Sequence, residues 1–189
     1  MATLRVFTDA NVLYASVVRD LVMELAKAGA VTLLWSEAVH DEWTTALLRN
    51  RPDLDKSRIS RTRTLLTLAI PDAMVVNYEH RCAGIALPDS NDIHVLAAAI
   101  EGKAAAILTF NTAHFPVKCI ARYKLGILHP DSLLLTLLTV SPELVVEAVA
   151  TTRKRMRQPA LSPRQFTDAM KRAHLTAAAA ALEQYIHQL

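Results

Sequence analysis

Apolar residues alternate between two periods along the first 140 positions. Leu4 to Thr8 is a short apolar run of strand type that ends at Asp9, and Val12 to Ala28 continues with helical spacing to a stop at Gly29. Val31 to Trp35 repeats the strand pattern; Ser36 can then cap a helix through Leu48 that Pro52 ends, and Lys56 to Ile70 reads as another helix. Ala73 to Asn77 is the third expected strand. Pro88 to Asn91 is punctuation before an Ala-rich helix over Asp92 to Gly102. Ala104 to Phe110 is the fourth expected strand. After it come a short helix near Val117 to Tyr123, a strand at Gly126 to His129, and a helix at Leu133 to Val140 capped by Asp131 or Ser132.

Strands that are apolar throughout and alternate with helices predict an α/β domain, a parallel sheet sandwiched by helices in three layers and joined by right-handed crossovers. Such a sheet takes its ligand beyond the carboxyl ends of its strands. Past Ser141 only helical periodicity remains, over roughly Pro142 to Met156, Pro163 to His174 and Thr176 to His187. The predicted division is therefore an α/β domain over 1–140 and a helical C-terminal extension over 141–189.

Composition changes this picture little. An apolar fraction of 52% with only four Gly fits a packed, helix-rich chain and excludes a disordered or collagen-like one. No apolar stretch is long enough for a bilayer, and Met1 to Phe7 lack a secretion signal, so a cytoplasmic protein with no membrane partner is expected. Cys82 and Cys119 have no ligand-like spacing and read as reduced, partly buried thiols.

Charge changes it more. The net +3 divides unevenly: residues 1–142 carry 14 Lys/Arg against 14 Asp/Glu, and 143–189 carry 7 against 4. The excess includes Arg153, Lys154, Arg155 and Arg157, and a second basic run contains Arg58 and Arg61. These residues are candidate contacts for RNA or for an acidic partner, and equally read as solvated helix faces.

Four acids in three places carry the candidate chemistry. Asp9 stands where the first strand runs out, Glu42 lies on the helix after the second strand, and Asp89 and Asp92 begin the helix that leads into the fourth. All three places can open onto one sheet edge. Carboxylates gathered there repel one another unless a cation neutralises them, and Mg²⁺ or Mn²⁺ suits an all-oxygen donor set. Taken singly, Asp9, Asp89 and Asp92 also read as helix caps and Glu42 as a solvated residue.

The ordered series Thr8-Asp9-Ala10-Asn11-Val12-Leu13, Glu42, Pro88-Asp89-Ser90-Asn91-Asp92 and Leu108-Thr109-Phe110-Asn111 resembles the motifs of the PIN-domain family over residues 3 to about 140. The resemblance implies a Mg²⁺- or Mn²⁺-dependent endoribonuclease, commonly the toxin of a VapBC-type pair inhibited by a cognate antitoxin. RNA, with transfer RNA as the class the family suggests, is then the substrate; a homodimer stays open. It makes Asp9, Glu42 and Asp92 the metal ligands, with Asp89 as an additional acid and Thr8, Asn11, Thr109 and Asn111 around them. Many family members have Asp where this chain has Asn111, and often another at His114, so the acidic quartet is complete only if Asp89 substitutes.

Asn11 is expected to order the Asp9 turn by side-chain hydrogen bonding. Thr8 and Thr109 could bond a carboxylate or a metal water, or be plain strand formers. His40, His94 and His114 lack zinc spacing and read as surface or packing residues, His114 being the one near the site. Two other classes compete: a catalytically weak RNA-binding or scaffold module that keeps the fold, suggested by Asn111, and a phosphatase-like hydrolase. The latter lacks the paired aspartates such chemistry needs, since the chain has Asp9-Ala10-Asn11.

Overall fold

The first apolar run folds as strand β1, Leu4–Thr8, with its last three residues buried. The computed structural model describes residues 3–157 and 159–189. Strands β2 (Val31–Leu34), β3 (Ala106–Leu108) and β4 (Gly126–Leu128) complete a sheet of order β2-β1-β3-β4. β1 lies parallel to β3, with Val6 opposite Ala106 and Thr8 opposite Leu108, and β3 lies parallel to β4. Because β2 flanks β1 on one side and β3 on the other, the strand order reverses at β1, the place where parallel α/β sheets take their ligands beyond the carboxyl ends.

The helices, in chain order, are α1 (Ala10–Tyr14), α2 (Ser16–Lys27), α3 (Glu37–Asn50), α4 (Lys56–Ala69), α5 (Ile93–Glu101), α6 (Val117–Ile120), α7 (Pro130–Val140), α8 (Pro142–Arg155), α9 (Pro163–Arg172) and α10 (Thr176–Leu182). They fall into two compact units. One comprises the chain up to Tyr14 with Thr32–Leu128, and the other Ala15–Val31 with His129–Leu189. The α/β class with a parallel sheet and a helical C-terminal region is thus what the chain adopts. None of the described helices is long and apolar enough to cross a membrane.

In the sheet-bearing unit, Phe7, Leu33, Trp35, Trp43, Leu96, Ile107 and Phe115 form fully buried bulk. α5 packs on β1 and β3, and Ala97, Ala98 and Ala99 are buried on it, which brings its backbone close to the sheet. In the helical unit, α8 packs along α2 and α10 packs on α7 and α9. Asp131 accepts from the backbone N–H groups of Ala177 (2.9 Å) and Ala178 (2.8 Å), tying α7 to the start of α10.

Local expectations fail in three places, each for a tertiary reason. The helix expected over Val12 to Ala28 starts at Ala10 and breaks at Ala15, whose backbone is extended (φ −80°, ψ 115°). The break falls where the chain passes from one unit to the other, so packing overrides propensity. The third expected strand reduces to one parallel bridge between Trp35 and Met74. A 3₁₀ turn over Pro71–Ala73 takes up its start, and Asn77 at φ 59° stops its extension. The helix after β4 is capped by His129, whose ring nitrogen accepts from Asp131 N–H at 3.1 Å, which leaves the Asp131 carboxylate for α10. That helix lies in the compact unit of His129–Leu189.

Candidate active site

Asp9 follows directly on β1, and its N–H donates to Leu108 O at 3.0 Å, so the backbone of β3 fixes its height at the sheet edge. Only 5% of the residue is exposed. Its Oδ2 accepts from Thr109 Oγ1 (2.7 Å) and from Asn11 Nδ2 (2.7 Å). Asn11 Nδ2 also donates to Thr109 Oγ1 (2.9 Å), Asn11 Oδ1 accepts from Phe110 N–H (3.1 Å), and Thr109 Oγ1 accepts from Asn111 N–H (2.9 Å). Residues about 100 positions apart thus form one closed network that holds the Asp9 carboxylate in a single orientation.

Of the two threonines, Thr109 binds Asp9. Thr8 is fully buried and its hydroxyl has no hydrogen-bond partner among the described residues. Asn11 orders the turn as its position suggested. Asn111 enters through its backbone, while its residue is exposed.

Of the other acids, Asp92 and Glu42 act on Asp9 through their charge, and Asp89 lies beside Asp92. Asp92 ends a 3₁₀ turn, Ser90–Asp92, at the head of α5, and Asp89 caps that turn by accepting from Asn91 N–H at 2.9 Å. Glu42 projects from α3, and its Oε1 lies 2.7 Å from His94 Nε2. Asp92 Oδ2 lies 2.7 Å from His114 Nδ1. Ligand atoms of Asp89, Asp92 and His114 all fall within 4.8 Å of one another.

Electrostatics record how these groups act on one another. Burial raises the Asp9 carboxyl above its ordinary value; the Thr109 hydrogen bond opposes this, and the charges of Asp92 and Glu42 add to it. Burial likewise raises Asp92, opposed by His114 and reinforced by the charges of Asp89 and Glu42. Among the described residues, Asp89, Asp92 and His114 form the group whose ligand atoms lie close enough to share one cation, and the charges of Asp9 and Glu42 are felt beside it. Two carboxylate oxygens and one ring nitrogen make a donor set suited to a divalent cation.

Sequence reasoning gave His94 no part in the site, yet it bridges α5 to Glu42. The signal was its place two residues after Asp92; its partner, 52 positions away, was not visible. His40 is a core residue. It is fully buried, accepts from the Trp43 indole N–H at 2.9 Å, and burial lowers its pKa to about 4.

The basic candidates divide. Arg58 and Arg61 are exposed on α4, whereas Arg63 pairs with Glu37 and Asp41. In the helical unit, Arg153 donates to Leu161 O (2.7 Å) and Leu189 O (2.9 Å), Arg155 pairs with Glu24, and Lys154 and Arg157 are exposed.

Comparison with known proteins agrees with this geometry. Residues 5–113 match the PIN domain, and residues 130–184 match the VapC50 C-terminal domain. A curated protein of Mycobacterium tuberculosis named "Putative ribonuclease VapC50" is 34% identical over 79 residues, 42% of this chain. The match spans 47% of that relative's length, about half of it. No solved structure matches the chain. The PIN match covers more than half of the sequence and takes in Asp9, Glu42, Asp89, Asp92 and Thr109 together, and the chain belongs to the PIN domain family.

Proposed function

We propose that the chain is a divalent-metal-dependent endoribonuclease, the toxin of a VapBC-type pair, acting in the cytoplasm and held in check by a cognate antitoxin. The observation that carries this reading is the Asp9 carboxylate, buried at the switch point of the sheet and fixed by Thr109 and Asn11, with the charges of Glu42 and Asp92 acting on it and Asp89 acting on Asp92. The family membership and the ribonuclease name of the M. tuberculosis relative support it.

Asp9, Glu42, Asp92 and Asp89 would hold the metal, with His114 beside them. A cation held there would supply charge shielding for the scissile phosphate and acidify a water for the attack. The chain's own part is orientation. Thr109 and Asn11 fix Asp9 before substrate arrives, and His94 steers Glu42 towards the same edge. A single-stranded or loop RNA is the substrate class, because unpaired segments can be splayed against a protein site, and transfer RNA is the member that the family resemblance suggests.

RNA cleavage by the full chain with Mg²⁺, Mn²⁺ and excess EDTA tests the reading, with calorimetric titration of Mn²⁺ as a separate readout. Metal-dependent cutting is expected. Undiminished cutting in EDTA would remove the metal mechanism, and Mn²⁺ binding without any cutting would favour an RNA-binding module that has lost turnover.

A further inference from the structure

Beside the acidic cluster, between α1 and α3, lies a cavity of about 300 Å³. We propose that it receives one nucleobase of the RNA, the base adjacent to the scissile phosphate, an inference that rests on the nuclease reading above.

The first reason is continuity. Glu42 and Asn11 belong both to the acidic site and to the cavity wall. Asn11 is immobilised by its bonds to Asp9, Thr109 and Phe110, so this shared wall is rigid. A group seated in the cavity therefore lies against the Glu42 carboxylate and the Asn11 amide that holds Asp9, within reach of the nucleoside next to a bound phosphate.

The second reason is shape. Along α3, Glu42, Trp43, Ala46 and Asn50 form one stripe, and Asn50 stands about 12 Å from Glu42 at 1.5 Å per residue. Small side chains at Ala10 and Ala46 leave the space open. Trp43 is buried beneath it, with its indole N–H committed to His40. The volume sits at the lower end of the range of small-ligand pockets, about 300–1,000 Å³, and suits one flat ring system better than a protein helix.

The third reason is the chemistry of the far end. Asn50 Nδ2 donates to Tyr14 Oη at 3.1 Å. That bond leaves the tyrosine hydroxyl proton to donate and the Asn50 Oδ1 to accept, a donor and an acceptor side by side for the edge of a base. The half-buried Tyr14 ring adds an aromatic surface, and bases stack on such surfaces in single-stranded RNA recognition. An apolar side chain of a partner protein would fill the volume but would have no use for this polar pair.

The test maps cleavage positions in a mixed-sequence single-stranded RNA by the full chain and by Ala46→Leu and Asn50→Ala. The parent is expected to prefer one base next to the cut. Asn50→Ala, at the exposed rim and safe for folding, should flatten that preference roughly tenfold, and Ala46→Leu, which fills the cavity, should raise KM by about the same factor at an unchanged melting temperature. Uniform cutting by the parent, or unchanged preference and KM in both variants, would overturn the base site while leaving the nuclease intact. Variants that cut RNA normally but bind a co-encoded protein more weakly would reassign the cavity to that protein. A parent that neither binds nor cuts RNA would end the nuclease reading, and this proposal with it.

Discussion

At the scale of single residues, the site is a balance between burial and charge. Burial holds the Asp9 carboxyl above its ordinary value of 3.8, so the folded chain keeps this proton over a pH range in which the unfolded chain has lost it. The stability of the metal-free protein therefore falls as pH rises through that range and stays lowered at neutral pH. Asp9→Asn should melt above the parent at pH 7 in EDTA, the gap should close below pH 3.8, and RNA cleavage should be lost. Melting curves across pH check this, and a lower melting point at pH 7 would mean that the Asn11 and Thr109 bonds outweigh the burial penalty. Thr109→Val removes the hydroxyl that donates to Asp9 and accepts from Asn11 and Asn111. It should weaken Mn²⁺ binding by about 10- to 100-fold in a calorimetric titration, as loss of a group orienting a ligand does elsewhere.

At the scale of elements, α5 follows directly on Asp92 and must lie close to the sheet. Its exit shows how close. A Cβ at Gly102 would stand 2.9 Å from Leu34 Cδ1, 2.9 Å from Val75 Cγ2 and 3.2 Å from Ala98 O. Gly102→Ala should cost about 1–3 kcal/mol in chemical denaturation, the usual range for overpacking. Because the strain falls at the end of the helix remote from Asp92, metal affinity should change less than stability. A variant as stable as the parent would show that Leu34 and Val75 give way freely.

At the scale of the whole molecule, the basic residues of the C-terminal unit do different jobs. Arg153 is spent on the carbonyls of Leu161 and Leu189, whereas Lys154 and Arg157 face solvent. Arg153→Ala should lower the melting temperature and leave the salt slope of RNA binding unchanged. Lys154→Ala with Arg157→Ala should leave the melting temperature alone and reduce that slope by up to about 0.7 per lost phosphate contact. If the double variant keeps its RNA affinity and slope but loses affinity for a co-encoded partner, these residues dock a protein instead.

The sequence by itself determined the alternation of strands and helices, the bounds of β1 and the acids at its edge, because periodicity and strand-end placement are local properties. Leu4–Thr8 formed as read, and Asp9 stands at its end. Partnerships that depend on distant chain were not legible: Thr109 rather than Thr8 on Asp9, His94 on Glu42, and Asp131 capping α10 rather than its own helix. The break at Ala15 and the shrinking of Ala73 to Asn77 to one bridge were equally hidden. Each was decided by which unit a segment packs in or which backbone groups lie opposite it. Packing and hydrogen bonding between residues as much as 100 positions apart leave no period in the sequence, and only the folded chain brings them together.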